Sequence, residues 1–104
     1  MNRLADLLAE HPRMKNYRRP FLATVLERIA AVRSAVEQEF AWLLERQPRV
    51  LQLALNEAEA IAWQSAFPHL VFPLLATEKV HAVAAWHARQ ESIRRVEPVS
   101  AFAE

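Results

Sequence analysis

A chain of 104 residues that is 53% hydrophobic and 24% charged has apolar material for one core and none of the charge excess of disorder. Its formal net charge of +1 gives the whole chain no bias toward nucleic acid or acidic membranes, and the lack of cysteine excludes disulfides, iron–sulfur clusters, thiolate zinc sites and thiol catalysis. Glycine is absent too, so hairpin turns, phosphate-cradling loops and left-handed helix caps lose their usual residue, while six prolines stand between alanine- and leucine-rich segments. These features predict an all-α fold: a single domain over residues 1–104, built as a small bundle of one short and three long helices and dimerising into a larger bundle. No apolar run approaches the ~18 residues of a membrane span. No basic, apolar and small-residue leader opens the chain, and a cytoplasmic location is expected.

In chain order, Asn2 is placed to cap a short helix through Leu4, Leu7 and Leu8, which Pro12 ends. A basic, irregular arm follows, so that residues 1–19 are read as short helix plus arm. Pro20 suits the first turn of a helix over residues 20–47, in which Leu22, Val25, Ile29, Val32, Val36, Phe40 and Leu43 recur at spacings of three and four. Pro48 separates it from a helix over residues 49–66, with Leu51, Ala54, Leu55, Ala58, Ile61 and Ala62 on its main stripe. Pro68 closes that helix, and His69 to Phe72 read as a buried connector. Pro73 opens the last main helix, residues 73–96, through Ala76, Val80, Val83, Trp86, Gln90 and Ile93; Pro98 ends it before a loose tail over residues 97–104.

The tryptophans carry the sharpest expectation. Around an unbroken helix over residues 20–47, a step of ~100° per residue puts Trp42 opposite the main stripe, on a shallow face with Thr24, Ala31, Ala35 and Gln38. In the next helix Trp63 falls away from Leu51, Leu55 and Ala58, beside Ala60 and near Phe67. Two indoles on outer faces imply a second apolar surface. The predicted partner interface is therefore Trp42, Ala31, Ala35, Trp63 and Phe67, covered by a second copy in a homodimer. The competing cover is intramolecular, from the short first helix or the tail at Val99 to Phe102. Trp86 reads as ordinary core.

Candidate chemistry is sparse. Glu78-x-x-His81 has the carboxylate–imidazole spacing used in di-iron bundles, and Glu37, Glu39, Glu57 and Glu59 are the acids available to complete a ligand set. The motif occurs once, and both residues fall on the polar side of their helix. His87 reads as a packed side chain near the apolar face, His69 as a hydrogen-bonder in the connector and His11 as solvated. Ser34, Ser65 and Ser92 sit mid-helix, where no strained nucleophile elbow forms. There is no nucleotide-binding signature and no cofactor is implied. Arg13, Lys15, Tyr17, Arg18 and Arg19 form the nucleic-acid candidate: cations for phosphates, with one ring for stacking. The acidic exposed positions of the 49–66 helix suit a major groove badly. The expected function is a non-catalytic protein–protein interaction or scaffold module that self-associates. The alternatives are a nucleic-acid-associated small protein using the arm at 13–19, and a metal-binding bundle using Glu78 and His81.

Overall fold

The computed structural model describes the backbone of residues 19–102 and the side chains of residues 19–95. Among these the chain forms four helices and contains no strand: α1 (Arg19–Glu39), α2 (Ala41–Arg46), α3 (Pro48–Ala62) and α4 (Pro68–Phe102). The short helix expected near residue 4 lies outside the described residues.

The long helix expected over residues 20–47 is broken at Phe40, whose φ of −109° and ψ of 36° leave the helical region. The carbonyl of Phe40 accepts from the N–H groups of both Leu43 and Leu44, at 2.9 Å each, so the chain restarts as the six-residue α2. The gain is burial, because the bend brings Leu43 fully into the core, where a straight rod of ~40 Å would carry it past its neighbours. A second break at Gln47 has a local cause. The ring of Pro48 disfavours helical backbone in the residue before it, and Gln47 leaves the helical region with φ −135° and ψ 59°. Pro48 then opens α3 at a position where its missing N–H removes no bond.

α3 stops at Ala62 and not near residue 66. The Ser65 hydroxyl donates to the Ala62 carbonyl at 2.7 Å, beside the Ser65 backbone N–H at 3.0 Å, and these bonds close the end of the helix. The connector expected at His69 to Phe72 is instead the first turn of α4. Pro68, not Pro73, is the initiator, and Pro73 lies inside the helix at the loss of one backbone bond. What outweighs that loss is the stripe formed by Pro68, Phe72, Ala76, Val80 and Val83, all buried, which requires continuous helix from residue 68 onward. Pro98 does not end α4 either; the helix runs on to Phe102, with the same single-bond penalty at a position far from the core.

Side-chain pairs fix the directions. Arg33 with Asn56 and Glu37 with Gln52 set α1 antiparallel to α3. Glu57 with Lys79 and Gln47 with His87 set α3 antiparallel to α4. The result is an up–down–up arrangement in which α4 packs closely on both α3 and α1, while α3 meets α1 through those polar side chains. Since the start of α3 meets His87, residues 88–102 continue α4 by roughly 22 Å past it. The exposed side chains of Arg89, Ser92, Ile93, Arg94 and Arg95 agree with that reach.

Candidate functional site

From Phe67 to Ala76 every residue except His69 is apolar, so the first turns of α4 have more hydrophobic surface than one core can take. Pro68, Phe72 and Ala76 fill the inward side. Phe67, Leu70 and Leu74, at spacings of three and four, are left outside at 55%, 59% and 76% exposure. Thr77, Ala85 and Ala88 carry the outer face along α4 with small exposed side chains. Of the inward stripe, Ala76, Val80 and Val83 were readable in the sequence, whereas Ile93, expected on it, is exposed; Pro68 and Phe72 and the whole outer stripe were not, because residues 69–72 read as connector.

A second constellation lies between α1 and α3. Arg33 donates through Nη2 to Gln52 Oε1 and Asn56 Oδ1, both at 2.7 Å, and through Nη1 to Glu59 Oε1 at 3.4 Å. Gln52 in turn donates to Glu37 Oε2 at 2.7 Å, and Trp63 Nε1 donates to Glu59 Oε2 at 3.4 Å. Glu59 is buried, so its carboxylate depends on these donors in place of water. The network sets the register of the two helices and touches no nucleophile. Its signal in the sequence is faint: Gln52, Asn56 and Glu59 share one side of a helix at spacings of four and three, opposite Arg33 and Glu37 on another.

At the far end of α3 the indole of Trp42 packs on the ring of His87, with centroids 5.9 Å apart and a tilt of 55°. Gln47 Nε2 lies 3.3 Å from His87 Nδ1, and His87 Nε2 lies 3.9 Å from Glu91 Oε1. In the tautomer that accepts from the Gln47 amide at Nδ1, the ring N–H at Nε2 points to Glu91. This arrangement staples the corner at Gln47 to α4. The sequence placed His87 correctly as a packed residue.

The predicted interface does not come together as one surface. Trp63 is buried at 1% exposure, not outward, because α3 packs against two helices and its buried arc extends to the side shared with Glu59. Trp42, half exposed, sits beside His87, whereas Phe67 precedes the other end of the helical pair, ~30 Å away along α4. Ala31 and Ala35 are exposed on α1, but the break at Phe40 removes the unbroken helix that aligned them with Trp42. Of the basic candidates, Arg13, Lys15, Tyr17 and Arg18 lie outside the described residues, and Arg19 is an exposed residue at the start of α1.

Glu78 and His81 are exposed, and the His81 ring meets Phe40 edge-on at 5.5 Å. Among the described residues no group of three or more His, Cys, Asp or Glu gathers to hold a metal ion. His69 packs edge-on against Phe21 at 5.6 Å, and its Nδ1 is buried with no hydrogen-bond partner. No described helix is long and apolar enough to cross a membrane. No family model, curated protein or solved structure matches the chain.

Proposed function

We propose that this chain is a non-catalytic helical interaction module that self-associates through the outward face of α4. One observation carries the reading: Leu74 is the most exposed of the described large apolar side chains and is flanked on the same face by Phe67 and Leu70, whereas Leu53 and Ile61 on α3 are exposed without such neighbours along their helix. Three adjacent large apolar side chains in water lose roughly 25 cal/mol for each Å² left uncovered, which favours an apolar partner. The half-exposed Trp42 is a second, separate contact point of the same chemistry.

The test is Leu74→Lys, compared with wild type by light scattering and circular dichroism. Wild-type protein is expected at twice the 12.0 kDa chain mass, and the variant at the chain mass with unchanged helicity. A variant that keeps its helices and the wild-type mass refutes the proposed face.

A further inference from the structure

We infer that two copies pair through antiparallel α4 helices, about a two-fold axis passing between Ala82 and Ala85; this rests on the self-association proposed above. The inference starts from charge. Glu78 and Arg89 are both exposed on the outer side of α4, and no ion pair joins either of them to another described residue. They are eleven positions apart, three helical turns, and so point the same way. A parallel pair of α4 helices would set Glu78 against Glu78 and Arg89 against Arg89. Reversing one helix sets Glu78 against Arg89 twice, once on each side of the axis.

The register that pairs those charges also pairs what else is unpartnered. Counting outward from the axis, Leu74 of one copy meets Ile93 of the other, and both are exposed, at 76% and 52%. Ala82 meets Ala85 at the centre, both exposed, and methyl side chains there allow close approach of the axes, near the lower end of the usual 8–10 Å. The part of α4 that runs beyond His87 comes to lie over the first turns of the partner's α4, where Phe67 and Leu74 are uncovered. One arrangement thus accounts for the leftover apolar stripe and for a helix end that no other described helix accompanies.

Charge reversal tests the pairing. Glu78→Arg alone and Arg89→Glu alone are each expected to weaken dimerisation by about tenfold or more, and the double reversal to restore it, with helicity unchanged throughout. Because the chain has no cysteine, Leu74→Cys and Ile93→Cys mixed under mild oxidation are expected to cross-link to each other and not to themselves. These residues lie ~28 Å apart along one helix, so only opposed helices bring them together. Homodisulfides of Leu74→Cys, or a dimer indifferent to both single reversals, overturns the antiparallel pairing while leaving self-association intact. A wild-type monomer overturns both, and assigns the stripe to another cover such as residues 1–18 or a different protein.

Discussion

Trp63→Ala is expected to be the most damaging single truncation in the described structure, lowering stability by about 3–5 kcal/mol. Trp63 is the largest side chain buried below 2% exposure, and it sits where α3 ends and the chain turns back toward α4. Its loss opens a cavity among helices that have no other side chain of that size to fill it. It also removes the indole N–H that reaches the Glu59 carboxylate. For a domain of this length each kcal/mol moves the melting midpoint by about 4–8 °C, so a fall of roughly 12–40 °C is expected. A thermal melt followed by circular dichroism measures it. A fall of only a few degrees would mean that the indole is not enclosed. Trp42→Ala is the control: its ring is 47% exposed, and a far smaller shift is expected.

The second large effect is expected at Arg33. Arg33→Ala strands the buried Glu59 carboxylate and leaves the side-chain oxygens of Gln52 and Asn56 without their shared donor. Breaking a buried pair from one side costs about 3–5 kcal/mol. Arg33 keeps 19% of its side chain in solvent, so about 2–3 kcal/mol is expected here. The double variant Arg33→Leu with Glu59→Leu removes both charges together and is expected to lose markedly less than the sum of Arg33→Leu alone and Glu59→Leu alone. Urea unfolding of the four proteins closes the cycle. Additive losses would show that the two side chains do not act as a unit.

The class of fold was legible because it rested on features with few alternatives. A glycine-free chain with spacings of three and four between apolar residues has little choice but helix. Proline positions were legible as joints and ambiguous in meaning. Pro48 and Pro68 start helices, whereas Pro73 and Pro98 sit inside one, and only the packing of Phe72, Ala76 and Val80 separates these cases. The break at Phe40 had no local marker at all. It follows from the place Leu43 finds in the core, a contact between distant segments.

The candidate site divided the same way. Surplus apolar surface on the outside was foreseen, but it was placed on the tryptophans. Trp63 escaped that prediction because a helix with two neighbours buries a wider arc than a single stripe implies. Leu70 and Leu74 escaped it because reading Pro73 as a helix start left Leu70 in a connector and Leu74 in a first turn, with no shared outer face. The Arg33 network was out of reach, since ion pairs across helices depend on a register that no single helix encodes.

The central claim is that the outer face of α4 is made to be covered by another copy of the chain. Light-scattering mass of the wild-type protein, followed through serial dilution from the micromolar range, addresses it most directly. A mass of twice 12.0 kDa that falls toward the single-chain value on dilution is the expected result. A mass of one chain at every concentration would contradict it.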